Sequence, residues 1–234
     1  MIEIKKGAEP DELRLLRVQT EQEGLSPQEA YNKLNSNLQL KRKVKKSLVK
    51  EQGKLCAYCM CKIPRNDVDV KITPITIEHY IPRNPEDGRD VGQGLDYNNL
   101  LAVCHGNRGR SGTRKKKDLT CDAHRENVEF KKINPCKPET LQSITYTLDG
   151  KIDATDIEVK KDLIETLNLN CPTASLIAER KAALDGLIED IGEIEKENIE
   201  TYCEAVLESF QNEKDEKTPY VGILVWYLQS MVNN

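Results

Sequence analysis

All three histidines of this 234-residue chain and five of its eight cysteines fall between residues 54 and 127. The cysteines are Cys56, Cys59, Cys61, Cys104 and Cys121; the histidines are His79, His105 and His124. Packing needs no such crowding of sulfur and imidazole. A metal-organised core accounts for it, with the chain on either side serving as support and docking surface.

Cys56-x-x-Cys59 has the spacing that lets two thiolates of one tight turn share a tetrahedral zinc ion. Two further ligands are needed, and Cys104 and Cys121, which bracket a single loop, complete a four-cysteine set. Cys61 lies too close to the turn for a fifth ligand and reads as a buried thiol, while Cys136, Cys171 and Cys203 read as packing residues. The N-terminus is charged from the start (IEIKKGAEPDELRL), and the longest apolar run, VGILVWYL, is too short to span a bilayer. A cytoplasmic setting is therefore expected. There, eight cysteines point to metal binding or free thiols rather than disulfides.

Along the chain, residues 11–20 (DELRLLRVQT) read as a short helix, and Ser26-Pro27-Gln28-Glu29 as a stronger helix start. There Ser caps, Pro suits the first turn and Glu completes a capping box. Tyr31, Leu34, Leu38, Val44, Leu48 and Val49 carry a broken helical period up to Gly53. Residues 68–83 (VDVKITPITIEHYIPR) predict a strand or hairpin arm ending at Glu78-His79, and residues 83–99 predict a loop. LLAVC at 100–104 predicts a helix start or a short strand, and residues 121–132 (CDAHRENVEFKK) predict a helix. SITYTL followed by Asp149-Gly150 predicts a β-hairpin. From about residue 155 the pattern is helical, with later helices opening at Thr173 and at Thr218-Pro219. The expected class is α+β: a mainly helical chain around a small core, divided into an N-terminal helical segment (1–53), the core (54–135), and a hairpin with helices (136–234).

The net charge of −4 conceals a strong asymmetry. Residues 41–50 carry six basic groups, residues 108–117 carry six more, and residues 181–216 hold twelve acids against three bases. The first two stretches suit contact with phosphate or a solvated surface; the acidic stretch would repel nucleic acid and suits a protein partner. Within the core, Glu78-His79 offers an adjacent carboxylate and imidazole. Phosphodiester hydrolysis needs such a pair, one to hold a divalent cation and one to activate water. Taken alone, an EH pair more often has a structural role.

The order C-x-x-C, I-E-H-Y-I-P, N-N-L-L-A-V-C, C-D-x-x-R resembles the HNH (ββα-metal) endonuclease family. More narrowly, it is similar to the PtuB-like HNH proteins of Septu and retron-associated anti-phage systems. The likeness covers roughly residues 45–234 and is most specific over 55–127. It implies a zinc-stabilised ββα-metal core in which His79 is the general base, Glu78 holds a catalytic Mg²⁺ or Mn²⁺, and Asn99 braces the loop that orients His79. The chain departs from the family pattern at the second cysteine pair, which is split by the basic insert. Asp122 then stands in the usual His or Asn position and is the favoured third ligand, with Asn107 as its rival; His105 and His124 also lie in reach along the sequence.

Beside that site, Arg108, Arg110, Arg114, Lys115, Lys116 and Lys117 would contact nucleic-acid phosphates without reading sequence, and Arg125 would clamp a phosphate as a fork donor. The resemblance also implies partners: a PtuA-like ABC/SMC-type ATPase and a retron reverse transcriptase with its RNA–DNA product. The expected function is a metal-dependent endonuclease cutting DNA or structured RNA such as tRNA, the toxic effector of a defence complex. The alternative is a catalytically inactive zinc module that tethers nucleic acid or scaffolds the ATPase.

Overall fold

The computed structural model describes residues 1–64, 75–85, 87–88, 94–108 and 115–232. About half of the chain is helical, with two small antiparallel sheets, an α+β arrangement. Three helices open it: α1 (Asp11–Gln22), α2 (Pro27–Ser36) and α3 (Leu38–Glu51). At the head of α2 the Ser26 hydroxyl accepts from Glu29 N–H, and the Glu29 carboxylate accepts from Ser26 N–H at 2.9 Å, the reciprocal capping box. Asn37 separates α2 from α3 and caps the latter through Leu40 N–H at 3.1 Å. The apolar faces of these helices bury Leu13, Leu34, Val44 and Leu48 completely.

Strand β1 (Thr76–His79) pairs with β2 (Leu100–Val103) in the register Thr76↔Val103, Ile77↔Ala102, Glu78↔Leu101 and His79↔Leu100. All four residues of β2 are buried, so this strand forms the floor of the core region. Gln52, at the end of α3, ties it to the cysteine turn. Its amide donates to the carbonyls of Leu55 and Ala102 and accepts from Ala102 N–H. A short helix α4 (Cys121–Arg125) follows, then β3 (Ile144–Tyr146) and β4 (Ile152–Ala154), paired as the expected hairpin. Gly150, at φ +87°, makes its turn, where a side chain would strike the Ile177 carbonyl. Helix α5 (Ile157–Lys161) runs on into a π-turn over Asp162–Thr166. The chain ends with α6 (Leu176–Gly192), α7 (Ile199–Asn212) and α8 (Val221–Val232). No helix among the described residues is long and apolar enough to cross a membrane.

Three boundaries differ from the sequence expectation, each because tertiary bonds take the local hydrogen-bonding groups. The helix expected over 121–132 stops at Arg125. Glu126 turns to φ 55°, and the N–H groups of Lys131, Lys132 and Ile133 point instead at the buried Asp162 carboxylate, at 2.8, 2.8 and 2.9 Å. Thr173 does not open a helix: its hydroxyl donates to Asp118 at 3.0 Å, and α6 starts at Leu176. Helix α8 begins after Tyr220, whose N–H donates to Met60 O at 3.0 Å. The three expected segments share one hydrophobic cluster that runs from Met1 through Leu100 to Leu228.

Candidate metal centre and the neighbouring carboxylate and histidine

The cysteine turn is closed by its own backbone, with Cys56 N–H to Cys61 O at 2.9 Å and Met60 N–H to Cys56 O at 3.1 Å. Ala57 N–H then donates to Ala102 O at 3.1 Å, which seats the turn against β2. Cys104 follows directly on β2, and its N–H donates to the Cys56 sulfur at 3.3 Å. Cys121 arrives from the far side of the insert. The insert is pinched shut by Thr120 N–H to Gly106 O at 3.0 Å, and Gly106 sits at φ +61° where a Cβ would lie 2.2 Å from Thr120 O. Only glycine fits both the backbone and that contact. Cys121 itself adopts φ 54° and is held by its N–H bond to Leu167 O at 2.8 Å.

The result is a cluster in which the sulfurs of Cys56, Cys59, Cys104 and Cys121 all lie within 4.8 Å of one another, three of the residues fully buried. The side-chain hydrogen bond with Cys121 holds the Cys104 thiol down to about 5. Four sulfurs so placed offer the donor set of a structural metal ion, and among the described residues no other set of three or more ligand-type side chains converges this way. Cys61 is buried beside the cluster without joining it, and Cys171 and Cys203 are buried elsewhere, with Cys136 partly so. His105 and His124 do not join either. His124 Nδ1 lies 3.0 Å from Thr166 O, and His105 Nδ1 is buried without a partner among the described residues.

Glu78 and His79 are neighbours on β1, and successive strand residues face opposite sides of a sheet. Glu78 points toward α4. Its Oε1 accepts from Tyr58 Oη at 3.0 Å and is ion-paired with Arg125 Nη1. Burial pushes the Glu78 carboxyl well above its ordinary range; Arg125 opposes this, and the Asp122 carboxylate beside it pushes the same way as burial. Asp122, half-buried on α4, thus lies near enough to the buried Glu78 to act on it. His79 faces the other way. Its Nε2 lies 2.9 Å from Gly94 O, and the Tyr31 ring of α2 meets it edge-on at 4.8 Å. A carbonyl only accepts, so Nε2 carries the proton and Nδ1 the lone pair. Burial lowers its pKa to about 3, which keeps the ring neutral.

Asn99 joins the two strands' ends. Its Oδ1 accepts from Ile81 N–H at 2.7 Å, its Nδ2 donates to Ile81 O at 3.0 Å, and its own carbonyl accepts from Tyr80 N–H at 2.9 Å. The rival ligand Asn107 spends its amide on closing the insert, donating to Asp118 O at 2.7 Å.

Arg125 requires a correction. It is fully buried rather than poised at the surface, with Nε on Val128 O at 2.7 Å, Nη1 on Glu78 and His79 O, and Nη2 on Tyr80 O at 2.6 Å. Its guanidinium also lies 4.2 Å over Phe130. So engaged, it knits the strand end to α4 and does not clamp a phosphate. Of the basic insert, Arg108 and Lys115, Lys116 and Lys117 are exposed, with Lys116 paired to Glu126 at 2.6 Å. Arg110 and Arg114 lie outside the described residues.

Sequence reasoning missed Gln52, Tyr58, Gly94 and Asp162 as parts of this region. Tyr58 lay in view between the two cysteines of the turn; the others carry no local signal. No protein-family model matches the chain, and no curated protein matches it.

Proposed function

We propose that the chain is a metal-dependent HNH-type endonuclease that hydrolyses phosphodiester bonds in DNA or structured RNA, built around a structural zinc ion held by Cys56, Cys59, Cys104 and Cys121. The observation that carries the reading is the contact of His79 Nε2 with Gly94 O, which fixes the proton on Nε2 and leaves the Nδ1 lone pair for a general base. Support comes from the Asn99 brace on Ile81, and from the β1–β2 pair followed by α4, which brings Asp122 beside Glu78. A Mg²⁺ or Mn²⁺ ion, when bound, supplies charge neutralisation at the phosphate; Glu78 and Asp122 are the carboxylates suited to hold it. The exposed Lys115 and Lys117 then offer phosphate contacts beside α4. The acidic α6 and α7 suit a protein partner, for which a PtuA-like ATPase, with or without a retron reverse transcriptase, is the proposal; the cytoplasm is the proposed setting.

One observation favours the second reading, a zinc module that tethers or scaffolds without cutting. Glu78 is already engaged by Arg125 and Tyr58, both buried, as a structural carboxylate would be. The two readings separate by incubating the purified chain, alone and with its genomic neighbours, with plasmid DNA and with total RNA, adding or withholding Mg²⁺ and Mn²⁺. Metal-dependent cutting that disappears in His79→Ala while zinc content stays constant supports the nuclease and names its substrate. Cutting by His79→Ala at the wild-type rate, or none in any preparation, leaves the zinc module.

A further inference from the structure

Helix α2 reaches His79 at two points. A Cβ at Gly94 would lie 2.2 Å from Pro27 O, so the residue whose carbonyl holds His79 Nε2 is packed on the backbone at the head of α2. About one turn further along, Tyr31 meets the His79 ring edge-on at 4.8 Å. Over the face of that same tyrosine lies the guanidinium of Arg83, its carbon 4.0 Å from the ring centroid. Imidazole and guanidinium thus share one aromatic neighbour. They are no more than about 9 Å apart, two or three phosphate steps along one strand of a duplex at about 3.4 Å each.

Arg83 is half-buried, and its one hydrogen-bonding partner is neutral. Nη1 donates to the Gln28 amide oxygen at 2.6 Å, an acceptor that Asn84 Nδ2 shares at 3.1 Å. Among the described residues no carboxylate pairs with Arg83, and no hydrogen bond takes its Nε or Nη2. Those two nitrogens form the flat edge of a guanidinium, the edge that grips two oxygens of an anion at once. Gln28 and Tyr31 therefore fix the plane of the group and leave its bidentate edge for a ligand. Arg125 is the contrast, with Nε, Nη1 and Nη2 all committed to carbonyls or to Glu78.

We infer that Arg83, stacked on Tyr31 and held by Gln28, grips a backbone phosphate of the nucleic acid beside His79, the task that the sequence suggested for Arg125. The inference rests on the reading of His79 as the base of a phosphodiester hydrolase. It gives α2 a share in the site, because that helix supplies both residues that orient the guanidinium. A grip on the backbone adds affinity and register without selecting bases.

The test is fluorescence anisotropy of the full chain with a labelled DNA duplex and a labelled RNA hairpin, over a range of salt concentrations. Zinc-loaded wild type, Arg83→Gln and Arg83→Lys are compared without added Mg²⁺ or Mn²⁺, so that binding is read without cutting. Urea melts of all three separate weakened binding from lost folding. Arg83→Gln is expected to bind about 10-fold more weakly, with the slope of log affinity against log salt reduced by about one. Arg83→Lys, which keeps the charge but not the fork, is expected to keep the wild-type slope and recover part of the affinity. Wild-type affinity and slope in Arg83→Gln would overturn the inference. Equal losses in both variants at an unchanged slope would overturn it too, since Arg83 would then only brace Tyr31 and α2. So would failure of wild type to bind either probe at low salt. If binding depends on Arg83 but no preparation cuts once Mg²⁺ or Mn²⁺ is added, the phosphate contact stands and the nuclease reading alone falls.

Discussion

The four-cysteine cluster and the Glu78–His79 strand end adjoin the same strand, β2, yet they are finished to different degrees. In the cluster, four side chains from three places in the chain converge on one small volume, and the backbone bonds that hold them do not compete with the sulfurs for a ligand. At the strand end, the pleat turns two consecutive residues to opposite sides. The carboxylate there is committed to Arg125 and Tyr58, while the imidazole lies under Tyr31. A thiolate site is assembled by convergence alone. A hydrolytic site needs its groups to be both held and free to change partners, and here the holding is what the geometry displays.

The largest effect separating the two regions is expected from the cluster. Cys104→Ser or Cys121→Ser should abolish tight zinc binding, and thermal melts should lose their cooperative transition, since structural zinc contributes on the order of 10 kcal/mol to folding in small domains. Such a variant melting within a few degrees of wild type would show that the cluster is packing and not a metal centre.

Next is Arg125→Met, which strands a buried Glu78 and three carbonyl groups. Removing one partner of a buried ion pair costs about 3–5 kcal/mol, and the double variant Arg125→Met/Glu78→Gln should recover part of it, read by urea denaturation. Zinc stoichiometry should be unchanged in both. Lost zinc would join the two regions into one cooperative unit and break the comparison.

Gly106→Ala should act the other way, weakening zinc binding more than it disturbs the strand end. Its Cβ meets Thr120 O at 2.2 Å, so the pinch that brings Cys121 to Cys104 must open, beyond the roughly 1 kcal/mol of strain for alanine at positive φ. A metal titration beside a urea melt reads both quantities. Smaller again, Asn99→Ala removes two bonds to Ile81 and should cost about 1–3 kcal/mol, with the NMR signals of His79 shifting while the cysteine signals stay in place.

The elements were largely legible in the chain because local physics writes them locally. The capping box at Ser26 and Glu29, the β-branched arm ending at His79 and the Asp149-Gly150 turn each need only a few consecutive residues. The convergence of the four cysteines was legible too, since cysteine has few other uses at such spacing. Helix ends were less so. Asp162 reaches back some thirty residues in sequence to take the N–H groups of Lys131, Lys132 and Ile133, and nothing near Arg125 announces that.

What the sequence determined by itself, then, was the inventory: helices, one hairpin, a strand arm, a cysteine set and an acid–imidazole pair. Tertiary structure decided which members of that inventory meet. It turned Arg125 from a surface fork into the buried partner of Glu78. It also fixed the tautomer of His79 through a carbonyl fifteen residues away. The physical reason is common to both. The cost of burying a charge or a polar N–H is met by whichever partner the folded chain brings within about 3 Å, and sequence distance has no part in that choice.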